Sequence, residues 1–98
     1  MTPDAVIAAL RAYEPELRAA GIARLSLFGS TARNEARPGS DIDLLAAFDD
    51  SKRLSLLDVI GIENKIADLL GHAVDLIEEG ALKPRARETA AREAVRAF

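Results

Sequence analysis

Apolar residues recur along this chain in two rhythms, helical spacing and short continuous runs, and their alternation outlines the elements. Thr2-Pro3-Asp4 reads as an N-cap with proline at the first helical position, and Ala5, Val6, Ala9 and Leu10 follow at helical spacing, so a first helix runs to about Tyr13. Pro15 cannot continue that helix without losing a hydrogen bond, but it can open a second short one through Leu17 and Ala20, closed by Gly21. Ala23 to Phe28, bounded by Gly21 and Gly29, predicts a strand. Ser30 to Ala36 holds helix formers and predicts a helix of about two turns, stopped by Arg37-Pro38-Gly39. Ile42 to Phe48 is apolar except for Asp43, as expected of a central strand covered on both faces. From Leu54 to Leu70, residues Leu56, Val59, Ile60, Ile62, Ile66, Leu69 and Leu70 mark one broad helical face, with Gly71 placed to end it. Val74 to Ile77 predicts a third strand. Pro84 opens a final helix whose apolar side is Ala90, Ala91, Ala94, Val95 and Phe98. Strands alternating with helices predict an α/β or α+β layer structure around one small sheet, and the strand order is left open.

Composition narrows the class. Ninety-eight residues, 49% hydrophobic and 30% charged, suit a single domain over residues 1–98 that folds as a globule. No apolar run approaches the ~18 residues needed to cross a bilayer, and no basic-then-apolar leader opens the chain. A cytoplasmic protein is expected. The absence of cysteine removes disulfides and thiolate chemistry, and a lone histidine excludes a multi-histidine zinc centre. A net charge of −3 supplies no basic footprint for nucleic acid, so neither direct nucleic-acid nor membrane binding is expected. The chemistry falls to carboxylates, hydroxyls and cations.

Those groups concentrate in Phe28-Gly29-Ser30-Thr31-Ala32-Arg33 and in Ser40-Asp41-Ile42-Asp43-Leu44. Gly29, where strand becomes helix, permits a sharp turn and lets a phosphate approach the backbone. Ser30 brings a hydroxyl to a helix N-terminus whose free N–H groups favour an anion. Arg33, three residues on, lies on the same helix face and could reach the same ligand. Asp41 and Asp43, two apart on a strand, should leave one face of the sheet together, with Ile42 and Leu44 on the other. Two such charges repel unless a cation lies between them, and paired hard oxygens suit Mg²⁺ bound to substrate phosphates. The pattern reads as a site for a metal-bound nucleoside triphosphate. An Asp-x-Asp pair alone arises by chance about 0.6 times in such a composition, whereas a Gly-Ser at a fixed distance upstream has a chance of only ~0.003 per spacing.

Gly29-Ser30, ten intervening residues and Asp41-x-Asp43, with Phe28, Ala32-Arg33, Glu35-Ala36, Pro38 and Ser40 around them, resemble the minimal nucleotidyltransferases of the DNA polymerase beta superfamily. The likeness extends over nearly the whole chain. It implies a polymerase-beta-like palm, a small mixed sheet flanked by helices, and a third carboxylate on a later strand, for which Asp75 in Val74-Asp75-Leu76-Ile77 is the candidate. It also implies transfer of AMP from Mg²⁺-bound ATP to a hydroxyl, with pyrophosphate leaving. On this resemblance Asp41, Asp43 and Asp75 would hold two Mg²⁺ ions, while Gly29, Ser30 and Arg33 would hold the β- and γ-phosphates. Small proteins of this kind resemble antitoxins paired with HEPN-domain RNase toxins, which they modify on a tyrosine. A HEPN-type toxin is therefore the implied partner and acceptor.

Each residue also has a plainer reading. Asp75 could be a solvent-facing strand residue, and Arg33 and Glu35 solvated helix residues. His72 after Gly71 reads as an exposed turn residue, and Tyr13 as packing beside a helix break. Two rival functions stand beside the transferase: an antitoxin that neutralises its partner by binding alone with a vestigial nucleotide site, and an enzyme modifying a small molecule.

Overall fold

The computed structural model describes residues 2–98. The Thr2 hydroxyl accepts from the Ala5 N–H at 3.2 Å and Pro3 opens α1 (Pro3–Ala12), which bends at Tyr13 into α2 (Glu14–Ala20). Strand β1 (Ile22–Phe28) feeds directly into a one-turn helix α3 (Gly29–Ala32), and β2 (Ile42–Phe48) follows a Pro-Gly turn. Helix α4 (Leu56–Leu70) begins with a reciprocal cap, Ser55 Oγ accepting from the Asp58 N–H at 3.2 Å and the Ser55 N–H donating to Asp58 Oδ2 at 2.8 Å, and ends at Gly71. Then come β3 (Val74–Glu78), a 3₁₀ turn over Glu79–Ala81, α5 (Pro84–Glu93) and the short β4 (Val95–Arg96).

The four strands make one mixed sheet in the order β3-β2-β1-β4, with β1 antiparallel to β2 and β4, and β2 parallel to β3. Side-chain alternation divides it into two faces. Leu25, Leu27, Ile42, Leu44, Ala46, Val74 and Leu76 point to one face and form the main core with Val6, Leu10 and Leu17 from α1 and α2, and Ile62, Ile66 and Leu70 from α4. The opposite face carries Ser26, Asp43, Leu45 and Asp75 beneath α3 and α5. A helix layer fully buries one side of the sheet, and the thinner cover on the other leaves room for chemistry.

Four sequence expectations need correction. The helix after Gly29 has one turn, not two, because Asn34 adopts a left-handed φ of 57°. The Glu35 N–H then closes onto Ser30 O at 2.8 Å and the Asn34 N–H onto Thr31 O at 3.0 Å, the αL termination that asparagine tolerates. Asp41 lies one residue before β2 rather than on it, since pairing with β3 starts at Ile42, whose N–H donates to Ala73 O at 3.0 Å. Leu56 and Ile60 are expected on the inward face of α4 but are 76% and 42% exposed: the buried stripe runs through Ile62, Ile66 and Leu70, with Leu56 at its edge as the first residue of the helix and Ile60 turned to one side of it. The final helix stops at Glu93, and Val95 and Arg96 extend along the open edge of β1. That edge has backbone groups to satisfy. The Leu25 N–H donates to Phe98 O at 3.0 Å and the Ala97 N–H to Leu25 O at 2.9 Å, while Phe98 is buried in the core with the Arg18 guanidinium 4.9 Å over its ring.

Candidate active site

Pairing across the sheet brings the sequence-predicted residues to one end of it. Phe28 stands opposite Asp43, and Asp43 opposite Asp75, so the end of β1, the start of β2 and the start of β3 lie side by side. Register partners on neighbouring strands project to the same face, which puts the Asp43 and Asp75 carboxylates together. Asp43 is half-buried, whereas Asp41 and Asp75 are exposed beside it. Burial, followed by the charges of Asp75 and Asp41, pushes the Asp43 carboxyl above its ordinary value, and Arg33 draws it partly back. Four residues from three parts of the chain therefore share one electrostatic centre.

Gly29 is fitted to that centre in a way the sequence did not disclose. Its φ is 78°, and a methyl group built on it would stand 2.5 Å from Asp43 Oδ2. The missing side chain is what lets the turn after β1 close against the carboxylate. Ser30, half-buried in the second position of α3, is held at the same turn.

Arg33 departs from expectation. It is the cap at the end of α3, and its guanidinium donates to Glu35 Oε2 at 3.1 Å and to Glu93 Oε2 of α5 at 3.2 Å. Exposed pairs of this kind exchange readily with a competing anion. The link ties the Gly29-Ser30 turn to α5, a connection with no local signal. His72, expected to be exposed, is half-buried with its Nδ1 2.9 Å from Ala73 O, and Tyr13, expected to pack, is 38% exposed at the bend between α1 and α2.

Among the described residues no three Asp, Glu or His side chains close around a single point, so Asp41, Asp43 and Asp75 form an open array rather than a cage. An open array of hard oxygens suits an ion that keeps several ligands from phosphate and water, as Mg²⁺ does. The charge repulsion at Asp43 is what such an ion would relieve. A further group was missed by the sequence reading: Ser26, Leu45 and the small side of α5 frame a cavity on this same face. The serine between Leu25 and Leu27 in β1 was the one available signal. No helix among the described residues is long and apolar enough to cross a membrane.

Comparison with known proteins bears on this geometry. Residues 10–97 match the family described as nucleotidyltransferase domain. The chain is 36% identical over 96 residues to the protein adenylyltransferase MntA of Thermococcus cleftensis, covering 97% of this chain and 95% of that one. A solved structure of a minimal nucleotidyltransferase superposes with a TM-score of 0.80 at 39% identity, covering 97% of this chain and 95% of the other. A structure of a tri-AMPylated Shewanella oneidensis HEPN toxin in complex with MNT antitoxin shares the fold, with a TM-score of 0.63 at 18% identity, over 90% of this chain and 68% of that one.

Proposed function

This chain belongs to the nucleotidyltransferase-domain family, and from that premise we propose that it is a protein adenylyltransferase, moving AMP from ATP to a tyrosine hydroxyl of a HEPN-type RNase toxin whose antitoxin it is. The observation that carries the reading is the raised, half-buried Asp43, flanked by Asp41 and Asp75 and packed against the side-chain-free Gly29. The MntA relative is named for protein adenylyl transfer, and the Shewanella structure pairs an MNT antitoxin with an AMPylated HEPN toxin. Both names support the choice of acceptor.

In this reading the Gly29 backbone and the Ser30 hydroxyl bind the β- and γ-phosphates, and Arg33 exchanges Glu93 for phosphate oxygens. Asp41, Asp43 and Asp75 would hold magnesium, two ions in all, which when bound neutralises phosphate charge and acts as a Lewis acid. The acceptor oxygen attacks the α-phosphorus in line, the bond from that phosphorus to the bridging oxygen breaks, and pyrophosphate leaves. The exposed Asp75 carboxylate takes the hydroxyl proton, while Asp41 and Asp43 set the position of the α-phosphate.

Incubation with labelled ATP, Mg²⁺ and a HEPN-type RNase partner should label that protein, and Asp43→Asn should lower the rate by at least ~10²-fold. Unchanged labelling by Asp43→Asn would remove the site assignment. A binding-only antitoxin is the second reading, favoured by the engagement of Arg33 with Glu93. It requires that Asp43→Asn protect cells from the toxin as well as the unaltered chain does.

A further inference from the structure

The sheet face that carries Asp43 and Asp75 continues into a cavity of about 270 Å³ beneath α5. Ser26 and Leu45, register partners on β1 and β2, form its floor, Ala90 and Ala91 its wall, and Arg87 and Arg96 stand beside them. Leu45 is two residues beyond Asp43, so the cavity starts about 7 Å from that carboxylate on the same side of the sheet. A ribose spans a gap of that order.

Volume and chemistry limit the occupant. The space falls just below the ~300–1,000 Å³ of sites that enclose a whole drug-sized ligand, and it suits one fused ring system. Ser26 is 8% exposed, one of two buried polar residues among those described. Sheet packing alone favours a branched apolar side chain at such a position. Its hydroxyl both donates and accepts, as the edge of a heterocycle requires. Arg87 donates edge-on to Leu82 O at 3.2 Å and to Gly80 O at 3.4 Å, so the flat side of a fixed guanidinium is available for stacking.

We infer that this cavity is the nucleobase subsite, taking the purine of the triphosphate between the sheet and α5, with Ser26 reading the ring edge and Arg87 stacking on its face. The inference rests on the proposed nucleotidyl transfer. It places the two ends of the nucleotide on either side of α5's hold on Arg33: the phosphates at the Gly29 turn, the base under Ala90 and Ala91.

The test is calorimetric titration of the full chain with Mg²⁺-ATP and, separately, with Mg²⁺-tripolyphosphate, which lacks sugar and base. Ala91→Trp fills the cavity from an exposed position, Ala94→Leu fills it from the same wall, and thermal melting establishes that each variant is folded. The unaltered chain should bind ATP about tenfold or more tighter than tripolyphosphate, and both variants should lose about tenfold in ATP affinity while keeping tripolyphosphate within about twofold. Variants that bind ATP as the unaltered chain does would overturn the subsite and leave the transfer reading standing. If they also fail to label the partner protein, the cavity belongs to the acceptor and the subsite is again overturned. An unaltered chain that binds neither ligand would overturn both readings.

Discussion

At Gly29 two demands coincide, a left-handed backbone and closeness to a carboxylate, and they can be separated by mutation. Gly29→Ala should cost about 1–3 kcal/mol in urea unfolding and suppress transfer, because a strained φ is joined by a collision with Asp43. Gly39, with a φ of 86° and no atom within 4 Å of a built methyl, supplies the control: Gly39→Ala should show the backbone cost alone and keep its activity. Asp43 carries strain of another kind. Its folded carboxyl holds a proton more tightly than the unfolded one, so ionisation works against the fold as pH rises through and above the ordinary value of 3.8. Asp43→Asn should therefore melt higher than the unaltered chain at pH 7 in metal-free buffer, and the gap should close as pH falls below that value, where both states are protonated. Equal melting temperatures at pH 7 would mean that neither burial nor the neighbouring charges raise the Asp43 carboxyl. Gly29, Ser30, Asp41 and Asp43 were all legible from residue type and spacing. The half-burial of Asp43 was not, since it depends on β1 and β3 lying to either side of it.

Element by element, β1, β2 and β3 were predicted well, β4 was read as the end of a helix, and the helix ends fared less well. Alternating or continuous apolar runs of five to seven residues suffice to mark β1, β2 and β3. The ends of α3 and α5 turn on choices that no apolar pattern records: Asn34 entering the left-handed region, and an alanine-rich segment leaving its helix to complete the edge of β1. The exposure at the start of α4 is a matter of helical phase. Ile62, Ile66 and Leu70 form its buried stripe, and at about 100° per residue Leu57 falls on the opposite side of the helix and stays exposed. The stability of that first turn comes instead from its cap. Ser55→Ala should cost ~1 kcal/mol, whereas Leu57→Ala should fall within ~0.5 kcal/mol of the unaltered chain, both read from denaturant midpoints. The Ser55 backbone bond to Asp58 holds that carboxyl below its ordinary value of 3.8. Its contribution is present above 3.8 and is lost as pH falls through the lowered value, opposite in sign to that of Asp43.

Over the whole molecule, one sheet has its helices distributed unequally: α1, α2 and α4 seal one face, and α3 and α5 cover the other partially. If the nucleotide binds across that second face, a nonhydrolysable ATP analogue with Mg²⁺ at 100 times its Kd should stabilise the fold by about 2.7 kcal/mol. For a chain of this length that corresponds to a rise of roughly 10–20 °C in Tm. A scan with Mg²⁺ alone separates the nucleotide's share, and no shift with the analogue would deny that the Asp43 face binds it. Local sequence determined the elements, their turns and the inventory of carboxylate, hydroxyl and cation, because periodicity, caps and turn chemistry are settled among residues a few positions apart. Tertiary structure alone decided the strand order, the meeting of Asp43 with Asp75, the latch from Arg33 to Glu93 and the cavity under α5. Each of these joins residues distant in sequence, and the choice among possible partners is made by what the whole chain must bury and by which backbone edges remain to be paired.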